Sequence, residues 1–196
     1  MIAGKNGATA KTPKNILFGA GTIHKGLKLS GSEWNFADSI VGATSGGSKL
    51  SIVPEITPIE VDGVNVAAKG LQVKTGETAT MEVNFIELST DLIKASVIGE
   101  KDTEVTLTGY DVLKSKGAIE EGDYWENIAF VGKTVEGKAI IAILDNALCT
   151  SGLELEGKNK EAGIPALTFT CHADLADDAD NDTLPWRIYY PNTAQA

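Results

Sequence analysis

Residues Glu77–Phe85 read E-T-A-T-M-E-V-N-F. Successive side chains of an extended chain point to opposite sides, so Ala79, Met81, Val83 and Phe85 share one face. Thr78, Thr80, Glu82 and Asn84 share the other. This pattern predicts a long strand with one buried and one wet face; a helix would scatter the same residues around its circumference. The same alternation recurs at Leu167, Phe169, Cys171 and Ala173 against Thr168, Thr170, His172 and Asp174, and at Trp186, Ile188 and Tyr190 against Arg187 and Tyr189. Ile128 to Val135 and Lys138 to Leu144 flank Glu136-Gly137, the composition of a hairpin turn. The second of these runs contains AIIAIL, Ala139 to Leu144, apolar on both faces and therefore expected at the centre of a sheet. Ile59-Glu60-Val61 and Val64-Asn65-Val66 flank Asp62-Gly63 and predict another hairpin. One helix is expected, capped by Ser89 or Thr90, with Asp91 in its first turn and an apolar stripe of Leu92, Ile93 and Val97 running up to Gly99. A shorter helical turn is expected near Tyr110 to Lys114. The fold class that follows is mainly β: a β-sandwich or partial barrel with one flanking α-helix.

The chain has 196 residues, enough for one domain with extended arms. The expected division is an N-terminal arm over residues 1–14, a single β domain over 15–190 with a long loop at 30–48, and a C-terminal tail over 191–196. The long loop is rich in Gly and Ser yet carries Trp34, Phe36 and Ile40, which need a surface to bury against. That surface is either the chain's own core or another subunit. No apolar run approaches a membrane span, and the first residues lack the apolar centre of a signal peptide, so synthesis in the cytoplasm is expected. Cys149 and Cys171 are too few for a disulfide framework and read as buried free thiols.

Net charge is −10, unfavourable for gripping nucleic acid through its phosphates. Residues 1–32 contain Lys5, Lys11, Lys14, Lys25 and Lys28 and no acid. The rest carries 12 basic and 27 acidic groups, a balance of −15, with Asp174, Asp177, Asp178, Asp180 and Asp182 crowded near the end. A basic start and an acidic finish suit head-to-tail contact between copies.

Motifs that would carry catalysis or cofactor binding fail at their decisive positions. G-A-T-S-G-G-S-K, Gly42 to Lys49, has the glycine spacing of a phosphate-binding loop, but Ser48 stands where its lysine belongs. Leu50-Ser51-Ile52-Val53-Pro54 then reads as a strand stopped by proline, where a phosphate loop needs a helix. Gly19-Ala20-Gly21 lacks the third glycine of a dinucleotide fingerprint, because His24 occupies it. His24 and His172 stand far apart, and no Cys or His pair has zinc-ligand spacing. Asp178, Asp180 and Asp182 imitate the start of a calcium loop, but Thr183 and Tyr189 replace its glycine and its glutamate. No serine sits in G-x-S-x-G, and Glu120-Glu121 lies in a polar loop. The expectation is a non-enzyme with no catalytic residues, metal or cofactor.

Several stretches in order resemble a known family: GATSGGSKLSIVPEI, then IEVDG, then KGLQVKTGETATMEVNFIEL, then LPWRIYYP. The chain from Asn15 to Pro191 is similar to the major tail proteins, or tail tube proteins, of long-tailed non-contractile bacteriophages of Gram-positive hosts. Residues 101–126 have no matching piece. The resemblance implies hexameric rings that stack head to tail into a hollow tube around a tape-measure protein. It also implies tail terminator and distal tail proteins as partners, a place in the virion, and passage of double-stranded DNA without specific binding or any membrane.

On this footing Thr78, Thr80, Glu82 and Asn84 are expected to line the lumen, presenting no cation to DNA. The inter-ring contacts are expected from Lys5, Lys11 and Lys14, from Trp34, Phe36 and Ile40, and from Asp178, Asp180 and Asp182. Two other readings stay open: the inner tube of a contractile tail or phage-derived bacteriocin, and a monomeric carbohydrate- or ligand-binding β-sandwich that uses Trp34 and Trp125 as platforms.

Overall fold

The structure, a computed structural model, describes residues 7–175 and 182–192. Eleven strands are present among them: β1 (Leu17–Lys25), β2 (Lys28–Ser30), β3 (Glu33–Asn35), β4 (Thr44–Pro58), β5 (Gln72–Phe85), β6 (Gly99–Lys101), β7 (Leu113–Ser115), β8 (Trp125–Thr134), β9 (Ala139–Cys149), β10 (Ala166–Cys171) and β11 (Trp186–Tyr189). One α-helix, α1 (Thr90–Val97), follows β5. Seven strands form one antiparallel sheet in the order β1-β8-β9-β10-β5-β4, with β11 added to β9; β2 pairs β3 and β6 pairs β7 in two small hairpins. Among the described residues the protein is therefore mainly β with a single α-helix.

The main sheet wraps on itself. Ile23 of β1, Met81 and Phe85 of β5, Leu144 of β9 and Phe169 of β10 belong to one buried cluster, with Leu92 of α1 beside them. The end strands also meet through the segment that leads into β4: Val41 N–H donates to the Ile23 carbonyl at 3.0 Å. Burial along β5 follows the expected alternation, with Ala79, Met81, Val83 and Phe85 wholly buried. β9 is central, flanked by β8 on one edge and by both β11 and β10 on the other. Its AIIAIL run is buried on both faces because Ile141 and Ile143 join a second cluster with Leu27 and Ala129, covered by Trp34 of the β2–β3 hairpin.

The helix starts as expected. The Ser89 side chain accepts the Leu92 N–H at 3.2 Å, which satisfies one of the donors that a helix start leaves unpaired. Its buried side differs from the expected stripe. Leu92 and Ser96 face the core, with Ala95 packed against it, whereas Val97 is 45% exposed. Positions 92, 95 and 96 lie within one turn on one side; in so short a helix Val97 rotates to the rim.

Four further expectations are corrected. The Ile59–Val66 stretch contains the Asp62-Gly63 turn, closed by Val64 N–H to the Val61 carbonyl at 3.0 Å, but no flanking strands. Its apolar side chains have no sheet to cover, while the outer residues Ile56–Pro58 pair with Gln72–Lys74 and take the hairpin into the longer β4–β5 arm. Tyr110 to Lys114 is not helical: Tyr110 closes a turn with Leu107, and Leu113 enters β7, where β6 supplies a ladder partner. The Gly42–Lys49 stretch and the proline-terminated strand also differ. β4 begins at Thr44, and its register shifts between Thr44 and Ser48. Gly46 and Gly47 adopt φ of 91° and 84° there, a conformation open to glycine, so this loop-like sequence is a bulge within a strand. β4 then runs through Pro54 to Pro58, because an edge strand tolerates the missing N–H.

Candidate assembly surfaces

The wet face of β5 continues across its neighbours. Glu82 stands opposite Thr168 of β10 and Lys49 of β4; Thr80 stands opposite Thr170 and Ser51. The Thr170 and Thr150 hydroxyls hydrogen-bond at 2.9 Å, which carries the polar row to the end of β9. Thr78 faces Val53. Asn84 serves the fold itself, since its Nδ2 donates to the Gly47 carbonyl at 3.2 Å and ties the β4 bulge to β5. The face thus carries hydroxyls together with Val53, the carboxylates of Glu82 and Glu55 and the ammonium of Lys49. The expectation that it holds no cation is corrected: Lys49 lies 33 positions before Glu82 in the sequence, and only the β4–β5 register places it on the same face. The pair cancels at the middle of the face, while Glu55, opposite Gly76 on the same side, keeps its sum acidic.

Both ends of the main sheet carry strands with a single ladder partner. β4 pairs only β5, and β1 pairs β8. The latter half of β1 is shielded, since Lys25 N–H donates to the Ser39 carbonyl at 2.7 Å and Ile40 bridges His24. Residues 17–22 of β1 and the length of β4 have no strand on their outer edges among the described residues. Leu17 and Phe18 are exposed there, and Val53 and Ile56 are exposed on the β4 arm. Unpaired backbone donors and acceptors next to apolar side chains form a template for another strand.

The expected contact residues are dispersed. Trp34 is half-buried and meets Tyr189 edge-on, with ring centroids 4.9 Å apart. Phe36 lies edge-on to His24 at 5.5 Å, and Ile40 points outward, 58% exposed. The aromatic segment therefore folds onto its own chain and leaves Ile40 on the surface. Lys11 is exposed; Lys14 lies in a 3₁₀ turn, Thr12–Asn15, and reaches Glu136 at 4.0 Å. Lys28 pairs with Glu126 at 3.0 Å, and Lys25 stands 4.5 Å above the Trp125 ring. Three of the first five lysines thus already have partners within the subunit. Asp182 is exposed; Lys5, Asp178 and Asp180 lie outside the described residues, as do the first four positions of the calcium-like stretch. Trp125 is no platform: it is 5% exposed and packs on Phe169, with ring centroids 4.6 Å apart.

Sequence reasoning also missed a buried polar fastening. His24 Nδ1 and Ser39 Oγ lie 2.8 Å apart, and His24 Nε2 lies 2.8 Å from Thr22 Oγ1. The Ser39 hydroxyl donates to the Phe36 and Asn35 carbonyls at 3.3 and 3.4 Å. That leaves Ser39 Oγ to accept from Nδ1–H, and Nε2 to accept from Thr22. Burial holds the imidazole below its usual pKa, favouring this neutral form. The serine–histidine contact, spaced 15 residues apart, fastens residues 35–41 to β1 and has no free hydroxyl to act as a nucleophile. Cys149 and Cys171 are buried free thiols. Burial pushes Cys171 up to about 12, and the nearby Asp145 charge adds to that shift.

No protein-family model matches the chain, and no curated protein matches it in sequence.

Proposed function

We propose that this protein is the subunit of a bacteriophage tail tube: a structural virion protein whose rings stack into a conduit for the genome. The observation that carries the reading is the hydroxyl-rich face of β10, β5 and β4, extended by Thr150 just past the end of β9, on a sheet whose two end strands offer open ladder edges. Ring closure satisfies such edges by pairing strands between subunits. With hexameric rings and four strands from each subunit, roughly 24 strands at about 4.8 Å spacing give a circumference of about 115 Å and a diameter of about 37 Å. Duplex DNA passes such a bore.

A wall of threonine and serine, with Lys49 countered by Glu82, attracts phosphate weakly, because no cluster of cations is present to displace counterions. The same bore holds a tape-measure protein during assembly, and terminator and distal tail proteins close its ends. Negative-stain electron microscopy of the purified protein, followed over increasing concentration, tests the reading. Hollow tubes or stacked rings are expected. A particle that stays monomeric at every concentration refutes it.

A further inference from the structure

A second surface lies beside the β2–β3 hairpin, where a groove of about 510 Å³ opens between β2 and β11. Leu27 and Ile143 lie buried beneath it, and the rings of Trp34 and Tyr189, in edge-to-face contact with each other, form its aromatic wall. Polar groups converge on its rim as two ion pairs. Arg187 Nη2 lies 2.5 Å from Asp145 Oδ2, and Lys28 Nζ lies 3.0 Å from Glu126 Oε2. Arg187 is the only arginine in the chain.

The backbone is specialised at the same place. Asn146 adopts φ 48°, and there the edge of β9 changes partner, from β11 along Ile141–Leu144 to β10 along Ala147–Cys149. The displaced register parts the two partner strands and leaves Asp145 and Asn146 at the groove. Left-handed non-glycine residues and bulges concentrate where a site needs an aimed side chain. Burial raises the Asp145 pKa, and the paired Arg187 guanidinium opposes that shift.

We propose that this groove, walled by Trp34 and Tyr189 and rimmed by Arg187, Asp145, Lys28 and Glu126, is a binding site for a neutral saccharide. The pairs cancel, so the site has no net charge to select an anion or a cation. Each pair instead holds its partner's donors and acceptors in place, and the two together offer both hydrogen-bonding senses to hydroxyl groups. The aromatic wall of Trp34 and Tyr189 suits the C–H face of a pyranose ring. The volume falls within the range of small-ligand sites, about 300–1,000 Å³. The site uses none of Thr78, Thr80, Glu82 or Asn84, so it stands or falls separately from the tube reading.

Saturation-transfer difference NMR on the full chain tests the assignment. The probes are glucose, galactose, mannose, N-acetylglucosamine, N-acetylgalactosamine, rhamnose and the common disaccharides of each, at about 20 mM, where a Kd near 1 mM still fills the site. At least one sugar is expected to receive saturation, strongest on the protons of one ring face. Arg187→Met and Tyr189→Ala are each expected to weaken that binding at least about tenfold, with Glu82→Gln unchanged. Circular dichroism identifies any variant that fails to fold; if both do, Lys28→Met at the exposed rim replaces them, with the same weakening expected. No transfer to any probe, or transfer that survives in the folded variants, overturns the proposal.

Discussion

Gly21 is the backbone position whose substitution this fold tolerates least among the glycines of β1. The strand shifts register between Phe18 and Thr22, and Gly21 sits inside that bulge with φ 69°. A Cβ added there would lie 2.5 Å from Cε2 of Phe130 and 2.8 Å from the Val131 carbonyl oxygen. Phe130 can rotate, but the Val131 carbonyl belongs to the adjacent strand β8 and cannot move without breaking the ladder. Gly19, two residues earlier, has φ 90° and nothing within 4 Å of the same added atom.

The two sites separate conformational cost from collision. Left-handed backbone costs an ordinary residue about 1–2 kcal/mol, and forcing an extra carbon into packed surroundings adds about 1–3 kcal/mol. Gly19→Ala is therefore expected to lose about 1–2 kcal/mol and Gly21→Ala about 2–5 kcal/mol. With a urea m-value near 2 kcal/mol/M, the unfolding midpoints fall by about 0.5–1 M and about 1–2.5 M respectively. Urea titration followed by tryptophan fluorescence measures both. Equal losses in the two variants, or a Gly21→Ala loss below about 1 kcal/mol, would show that the β1 bulge is not packed against β8 as described.

Three further outcomes are expected. Burial lowers the His24 pKa from its unfolded value, so the neutral ring's contribution is fully present above about pH 6.5 and is lost as pH falls through the folded-state value. Stability measured by urea titration at pH 7.5 and pH 5 should fall with acid, and His24→Gln should flatten that dependence; an unchanged slope in the variant would assign the loss elsewhere. The buried Cys149 and Cys171 thiols should resist iodoacetamide at pH 8 in native protein and react at once in urea, as read by mass spectrometry; rapid native labelling would contradict their burial. Phe36→Ser with Ile40→Ser should leave a folded subunit that forms no stacked tubes in electron micrographs, because Ile40 is the apolar group this segment leaves outside. Normal tubes from that variant would remove the segment from the interface.

Local periodicity was sufficient for the elements whose two faces differ in polarity. Glu77–Phe85 announces a half-buried strand because alternation is a property of the extended chain itself. The same holds for the β8–β9 hairpin and for the Ser89 cap, where turn and cap chemistry are written in adjacent residues. Reading failed where the outcome depended on an available partner. Ile59–Val66 had hairpin composition but no surface to cover, and Leu113 became a strand because β6 lay beside it. Gly46-Gly47 looked like a loop and became a bulge because β5 offered a ladder on both sides of it.

The surfaces divide the same way. The hydroxyl face of β5 was legible residue by residue, since one strand carries it. Lys49 opposite Glu82, His24 against Ser39, and Arg187 against Asp145 were not, because each pair is joined by register or wrapping between segments separated by 15 to 42 residues. Sequence alone determined which residues seek burial and in what rhythm, for those preferences reside in single side chains and their nearest neighbours. The tertiary structure alone decided which charges meet, which edges remain open and where the sheet parts, for these depend on strand order and register, which local preference does not encode.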